Sequence, residues 1–251
     1  MMKFICAKTD AEAGRVAAEI MAEVIKKRPN AVIGLATGST PINMYAELVN
    51  MYKAGEISFS GVRTVNLDEY IGLPPDHCQS YAYFMSKNLF EQIDLPRENA
   101  NIPSGIATDA EEECKRYDRL LDRMGRVDIQ LLGIGHNGHI AFNEPDTHFP
   151  RDTTLVSLSE STTRANSRFF ASPDEVPTEA ISMGIGRILR AKRILLLATG
   201  EGKAHILEEA LFGKITPQIP ASILQFYQGE LTVVTDPSAF AIIREKHPDL
   251  I

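Results

Sequence analysis

The sequence predicts an α/β fold: an open, mainly parallel sheet with helices on both of its faces. Short apolar stretches alternate along the chain with longer segments in which apolar residues recur at helical spacing. Glycine-containing loops follow several of these stretches, and 44% of the 251 residues are hydrophobic, enough for a large core. We therefore expect a single α/β domain over residues 1–251.

The expected strands are the short apolar stretches, and the expected helices are the segments with helical spacing. The apolar stretches predicted to be strands are 2–7, 31–35, 62–67, 127–134, 153–158, 193–198 and 231–235. Segments with helical spacing lie between most of them. The predicted helices begin near residues 9, 41, 81, 109, 204 and 220. The stretch at 181–189 is apolar, contains two glycines and has no clear periodicity.

Composition excludes several classes of protein. The net charge of -7 argues against a nucleic-acid binder, which usually carries a basic face. Cys6, Cys78 and Cys114 are odd in number and widely spaced, as in a protein with reduced thiols. The chain shows neither a signal peptide nor an apolar run of about 20 residues. We expect a cytoplasmic protein with no nucleic-acid or membrane partner.

The loop after the second predicted strand has the features of an anion site. Thr37, Ser39 and Thr40 offer hydroxyls, Gly38 permits close approach of a ligand, and Pro41 suits a first helical turn. Backbone N–H groups at a helix start favour phosphate. No lysine follows the glycine, so this is not a nucleoside-triphosphate P-loop. The alternative is a capped helix with no ligand.

Two acids end the third predicted strand. Asp68 and Glu69 follow an apolar stretch directly, and a carboxylate at that edge of a sheet can act as a general base. The alternative is a solvated turn before the Gly-Leu-Pro-Pro sequence at 72–75.

The segment 127–145, VDIQLLGIGHNGHIAFNEP, combines a buried strand with a loop rich in chemical groups. Residues 133–138 match G-x-G-x-x-G, but a dinucleotide site needs a helix after the last glycine, and Pro145 follows too soon. The remaining functional interpretation is acid–base chemistry by His139, oriented by Glu144. The alternative is a histidine satisfied by loop carbonyls.

A metal site is the weaker interpretation of the same loop. His136, His139 and Glu144 are close in sequence, but a loop does not fix their spacing as a helix would. We therefore predict no metal ion.

Two cations further along the chain are candidate phosphate ligands. Arg168 precedes two phenylalanines and could hold an oxyanion with two parallel hydrogen bonds. Lys203 lies in a second glycine turn that opens a predicted helix. The alternative for Arg168 is an ordinary surface arginine.

Considered together, these segments resemble the glucosamine-6-phosphate deaminase family over nearly the whole chain. The specific part is the long sequence GHNGHIAFNEP, whereas the short glycine turns are weak on their own. In chain order, the matching segments are 36–41 (ATGSTP), 66–70 (NLDEY), 135–145 (GHNGHIAFNEP), 166–170 (NSRFF) and 202–203 (GK).

The resemblance implies a cofactor-free aldose–ketose isomerisation coupled to deamination. Glucosamine 6-phosphate and water would give fructose 6-phosphate and ammonium, with a mobile lid at about 158–177. The implied phosphate ligands are Thr37, Gly38, Ser39, Thr40, Arg168 and Lys203. In the implied catalytic set, Asp68 moves a proton from C2 to C1. The ring-opening residues are His139, Glu144 and Asn137.

The chain departs from the family pattern at two places. Some members have aspartate at the position of Asn137, so we expect Asn137 to orient its neighbours and Glu144 alone to supply negative charge. Members activated by a sugar phosphate use an arginine, a lysine and a C-terminal tyrosine. Thr154 and Val156 occupy the first two positions and the chain ends at Ile251, so we predict no such activation. Monomer and homo-oligomer both remain open.

Two other functions are compatible with this pattern. A 6-phosphogluconolactonase would share the fold and phosphate site but would need no base at Asp68. A non-catalytic sugar-phosphate sensor would normally carry an attached DNA-binding segment, and we expect none here because the first predicted strand starts at about residue 2.

Overall fold

The computed structural model describes residues 2–167, 170, 172 and 175–250. Arg168, predicted to bind phosphate, lies outside the described residues. The strands, in chain order, are β1 (Met2–Cys6), β2 (Val32–Leu35), β3 (Arg63–Asn66), β4 (Asp68–Tyr70), β5 (Ala100–Asn101), β6 (Ile129–Leu132), β7 (Thr154–Ser157), β8 (Glu179–Ser182), β9 (Arg193–Ala198) and β10 (Glu230–Thr235).

Helices occupy most of the connections between these strands. The α-helices are α1 (Asp10–Lys27), α2 (Ile42–Lys53), α3 (Tyr81–Asn88), α4 (Ala110–Met124), α5 (Glu160–Ser167), α6 (Ile185–Ile188), α7 (Ala204–Phe212) and α8 (Ala241–Lys246). Short 3-10 turns lie at Phe90–Gln92, Arg97–Asn99, Glu201–Lys203, Pro220–Phe226 and Pro248–Leu250. Within the described ranges, no helix is both long enough and apolar enough to cross a bilayer.

The larger sheet of the described chain has seven strands in the order β1-β10-β9-β6-β2-β3-β5, and all of its pairs are parallel. Crossovers between parallel strands are right-handed. The connections from β1 through β2 and β3 to β5 cross the sheet in one direction, and those from β5 through β6 and β9 to β10 cross it in the other. Helices of the two groups therefore lie on opposite faces of the sheet. The α/β fold expected from the sequence is confirmed.

The central strands are apolar because both faces of the sheet are covered. All four residues of β2 and all four of β6 are buried, as expected for a parallel sheet between two helical layers. Helices α1 and α2 pack closely on one face. A Cβ atom at Gly14 would lie 2.5 Å from Cβ of Asn43, so glycine permits this approach.

A second, antiparallel sheet of the described chain was not expected from the sequence. It has the order β4-β8-β7 and carries Asp68 opposite Ser182. The apolar segment 181–189 divides into β8 and α6 at Gly184, where a Cβ atom would lie 2.2 Å from the carbonyl oxygen of Asp152. The solvated turn considered for Asp68 and Glu69 is wrong, because both residues are buried in β4.

The small sheet is hydrogen-bonded to the loop that follows β6. The Ser182 hydroxyl accepts from the backbone N–H of Phe142 (3.0 Å), and the Asn143 amide donates to the carbonyl oxygen of Met183 (2.9 Å). The strand that carries Asp68 and the loop that carries His139 are thus fixed to the same element.

Candidate active site

A cleft of about 730 Å³ opens at the carboxyl ends of β2, β6 and β9. The chain leaves β2 toward β3 and leaves β6 toward β9, so the cleft lies where the crossovers change direction. Ligands bind at this switch point in open α/β sheets. The predicted site residues that line it are Thr37, Gly38, Ser39, Thr40, Asp68, Asn137, His139 and Lys203.

The loop after β2 is held at its start and open at its tip. The Tyr45 hydroxyl donates to the carbonyl oxygen of Ala36 (2.5 Å) and accepts from its N–H (3.2 Å). Gly38 has φ = +101°, a conformation that suits glycine. No side chain of the described residues caps the start of α2. The loop therefore presents hydroxyls and the positive end of a helix dipole, which suits phosphate.

Asp68 and Glu69 are adjacent, but their carboxylates have different environments. Burial, assisted by the negative charge of Glu69, raises the pKa of Asp68 to about 8. The Glu69 carboxylate accepts from the backbone N–H groups of Tyr70 (2.9 Å), Tyr81 (2.9 Å) and Ala82 (2.8 Å). Glu69 therefore ties β4 to the start of α3, whereas Asp68 lines the cleft.

The loop after β6 turns at residues 136–138, and no helix opens after Gly138. The condition for a dinucleotide motif is therefore not met. Nδ1 of His136 lies 3.1 Å from the carbonyl oxygen of Gly202, which joins this loop to the turn that bears Lys203. At Gly135, a Cβ atom would lie 2.3–2.4 Å from the His139 ring, so glycine lets the imidazole lie against the backbone.

His139 is the central group of this loop. Its Nδ1 is buried, has no hydrogen-bond partner among the described residues, and lies 3.8 Å from Oε1 of Glu144. This distance is too long for a hydrogen bond. Burial lowers the pKa of His139; the Glu144 carboxylate opposes this shift, and the charges of Lys203 and His136 add to it. The lowered pKa favours the neutral ring, which is the form that can accept a proton.

Asn137 connects the backbone of His139 to the carboxylate of Glu144. Its Oδ1 accepts from the N–H of His139 (3.2 Å), and its Nδ2 donates to Oε2 of Glu144 (2.6 Å). An orienting role for Asn137, as expected from the sequence, fits these contacts.

Among the residues that the structure describes, no three His, Cys, Asp or Glu side chains are arranged to hold a metal ion. Cys6, Cys78 and Cys114 are free thiols.

Comparison with known proteins places the chain in a family. The sequence profile of glucosamine-6-phosphate isomerases and 6-phosphogluconolactonase matches residues 7–233. The chain belongs to this family. This profile, together with the deaminase relatives described next, confirms the resemblance drawn from the sequence motifs.

Relatives within the isomerase and lactonase family differ in how closely they match. Glucosamine-6-phosphate deaminase of Lachnoclostridium phytofermentans is 53% identical over 233 residues, which cover 93% of this chain and 98% of that protein. A solved monomeric glucosamine-6-phosphate deaminase has a TM-score of 0.93 and 46% identity, covering 96% and 100% of the two chains. The 6-phosphogluconolactonase of Trypanosoma brucei, with a TM-score of 0.77, 19% identity and coverage of 96% and 98%, shares the fold.

Sequence analysis did not identify four residues that line the cleft or contact Glu144. Tyr81 and Arg164 line the cleft, and the hydroxyls of Ser159 and Thr162 hydrogen-bond to the Glu144 carboxylate. The sequence Ser-x-x-Thr at 159–162 is a possible helix start, but only the fold brings it to Glu144.

The wall around Tyr81 is aromatic. The rings of Tyr81 and Phe142 stack with centroids 5.7 Å apart, and Tyr70 lies 4.8 Å from Tyr81. Phe170, in the segment predicted to be a lid, packs edge-on against Tyr70 at 6.1 Å. Phe84 of the same helix packs against the hydrophobic core, whereas Tyr81 lines the cleft.

Proposed function

We propose that this chain is a glucosamine-6-phosphate deaminase, which converts glucosamine 6-phosphate and water into fructose 6-phosphate and ammonium. The observation that carries the proposal is the placement of a buried carboxylate, Asp68, in the same cleft as His139 and Lys203. Relatives with that activity are about half identical to this chain over nearly its whole length. A lactonase would need no carboxylate base at position 68.

The phosphate is held at one end of the cleft. Hydroxyls and N–H groups of the loop at 37–40 face it from β2, and Lys203 faces it from the turn after β9. By resemblance, Arg168 is a third anchor. Fixing the phosphate away from the reacting carbons uses remote binding energy to position C1 and C2.

Ring opening falls to His139. The neutral imidazole accepts the proton of the O1 hydroxyl and returns a proton to the ring oxygen, so that no net charge is left on the enzyme. Because Nδ1 faces Glu144, Nε2 is the nitrogen available to the substrate. The carboxylate stabilises the imidazolium while it exists.

Enolisation falls to Asp68. Once C1 is an aldehyde, the C2 proton becomes acidic. The Asp68 carboxylate removes it while a proton of the C2 ammonium group passes to O1, which gives an enolamine. The resulting carboxylic acid then delivers its proton to C1, and water hydrolyses the iminium left at C2 to the ketone and ammonium. A pKa of about 8 suits a group that must both take and give a proton near neutral pH.

We also infer that the reaction takes place in the cytoplasm. The proposed substrate is a charged sugar phosphate, which does not cross membranes unaided, and free thiols are typical of a reducing compartment.

The deciding experiment measures ammonium and fructose 6-phosphate released from glucosamine 6-phosphate by the purified chain, with and without a chelator. Equal amounts of both products are expected, unaffected by the chelator. The same preparation is given 6-phosphogluconolactone. Hydrolysis of the lactone without ammonium release would replace this proposal with the lactonase alternative.

A further inference from the structure

Glu144 divides its two carboxylate oxygens between different partners. Oε2 accepts from Nδ2 of Asn137 (2.6 Å) and from the hydroxyl of Ser159 (3.2 Å). Oε1 accepts from the hydroxyl of Thr162, within the first turn of α5. The carboxylate is therefore held from one side by the loop after β6 and from the other by α5.

The oxygen that Thr162 holds is the one that faces His139. Oε1 is 3.8 Å from Nδ1 of the imidazole, and Nδ1 is a buried ring nitrogen with no hydrogen-bond partner in the described part of the chain. Thr162 is itself 5% exposed, so water does not readily replace its hydroxyl. Two donors, the threonine hydroxyl and a protonated imidazole, thus have the same acceptor within reach.

We propose that Thr162 is a positioning residue for the acid–base pair: its hydroxyl holds Oε1 of Glu144 beyond hydrogen-bond distance of His139 and links the pair to α5. The proposal rests on the proposed function in so far as His139 opens the sugar ring. Thr162 does not touch the reacting atoms in this role and acts only through Glu144.

The charges around His139 make its protonation sensitive to the distance between Oε1 of Glu144 and Nδ1. Lys203 and His136 carry or can carry positive charge near His139, and both disfavour the imidazolium. Glu144 is the group that favours it. Arg164 of α5 lines the same cleft and is also cationic. Among the described groups, the Glu144 carboxylate alone stabilises the His139 imidazolium against these positive charges. A change in the distance from Oε1 to Nδ1 therefore changes how readily His139 is protonated.

In this arrangement, Oε1 of Glu144 changes its hydrogen-bond partner from Thr162 to His139 during ring opening. While His139 is neutral, Oε1 accepts from Thr162. When Nε2 takes the proton of the substrate, Nδ1–H becomes a charge-assisted donor, and such donors are about twice as strong as a neutral hydroxyl. Oε1 then moves toward His139 and loosens its bond to α5. The return of the proton to the ring oxygen restores the first arrangement.

The test compares Thr162→Val, which removes the hydroxyl at nearly constant volume, with Thr162→Ser, which keeps it. Thr163→Val is the matched control, because Thr163 is the neighbouring threonine of the same helix. The readouts are the NMR titration of His139 without substrate and the acid limb of the kcat/KM profile. In Thr162→Val, Oε1 is free to approach Nδ1, so both midpoints should rise by about half to one pH unit.

Thr162→Ser and Thr163→Val should both titrate like the unchanged protein. Below the midpoint, Thr162→Val should lose about three- to tenfold in kcat/KM relative to the other two. A Thr162→Val titration identical to that of Thr163→Val would overturn the proposal. If Thr162→Val does not fold, Thr162→Ala removes the same hydroxyl and decides the question in the same way. The NMR arm needs no substrate, so absent ammonium release would refute the proposed function and leave this test intact.

Discussion

The side-chain amide of Asn137 donates to Oε2 of Glu144 over 2.6 Å, in a position where some family members have an aspartate. Replacing this donor by a second carboxylate would set two acids in contact, and one of them would retain a proton to higher pH. We predict that Asn137→Asp remains active. The acid limb of its kcat/KM profile should move up by about one unit, because the second carboxylate adds negative charge beside His139 once both acids are ionised, and this raises the pKa of the imidazole.

The control for this change is Asn137→Ala, which removes both the donor to Glu144 and the acceptor for the N–H of His139. It should lose kcat without a comparable shift of the profile. A folded but inactive Asn137→Asp protein would contradict the orienting role of Asn137.

Asp68→Asn should be less active and more stable than the unchanged protein. An amide cannot remove the C2 proton, so kcat should fall by about 10²–10⁴-fold. Burial raises the folded-state pKa of Asp68 to about 8, whereas an unfolded aspartate titrates near about 3.9. Between these values the folded state holds a proton that the unfolded state has released, so Asp68 destabilises the fold progressively as pH rises.

Urea denaturation at pH 5 and pH 8 measures this cost. Asp68→Asn should be more stable than the unchanged protein, with a difference that grows by on the order of 2–4 kcal/mol between the two pH values. A stability difference that is constant with pH would show that the pKa of Asp68 is not raised in the folded protein.

Glu69→Gln tests whether the adjacent acid stabilises the fold through its hydrogen bonds to backbone N–H groups. Glutamine has one oxygen for three backbone N–H donors, so at least one donor at the start of α3 loses its acceptor. We expect a loss of about 1–3 kcal/mol in the free energy of unfolding, measured by urea titration at pH 8.

Removing the charge at position 69 also removes one cause of the raised pKa of Asp68. Any limb of the pH profile that Asp68 sets should therefore move to lower pH in Glu69→Gln. Unchanged stability together with lost activity would instead assign Glu69 a direct chemical role.

Lys203→Met should weaken substrate binding through the phosphate. A charged hydrogen bond to phosphate contributes about 1.5–3 kcal/mol, which corresponds to a rise in KM of about 10- to 100-fold. Inorganic phosphate should become a correspondingly weaker competitive inhibitor. Lys214→Met, at an exposed lysine beyond α7, is the control and should leave both constants unchanged. An unaltered inhibition constant for phosphate in Lys203→Met would remove Lys203 from the phosphate site.

The rate should depend hyperbolically on glucosamine 6-phosphate and should not respond to N-acetylglucosamine 6-phosphate. Thr154 and Val156 lie on β7 at positions where activated members carry cations, and neither side chain can attract a phosphate by charge. Initial rates measured with and without the acetylated sugar phosphate check this. A sigmoidal curve that the effector makes hyperbolic would contradict it.

Much of the site could be predicted from short segments. The apolar stretches at 31–35, 127–134 and 193–198 proved to contain β2, β6 and β9. Glycines, hydroxyls and an imidazole directly after such strands indicate a ligand site because parallel strands bring their carboxyl ends to one edge. Local sequence therefore sufficed to predict that the loop at 37–40, His139 and Lys203 lie at one ligand-sized cleft.

The antiparallel sheet could not be predicted in this way. β4 has 3 residues and β8 has 4, so neither is long enough to carry a periodic signal of its own, and 108 residues lie between Tyr70 and Glu179. Their pairing depends on the larger sheet, which brings both strands to the same edge. For the same reason, sequence alone left open whether Asp68 and Glu69 were solvated.

The sequence by itself determined the fold class, the family and the residue types at the carboxyl edge of the sheet, since these depend on local periodicity and on contiguous motifs. The tertiary structure decided which acid lines the cleft, which oxygen of Glu144 faces His139, and that Thr162 holds that oxygen. These relationships depend on distances of a few ångströms between residues far apart in the chain, and burial and hydrogen bonding at that scale arise only when the elements pack together.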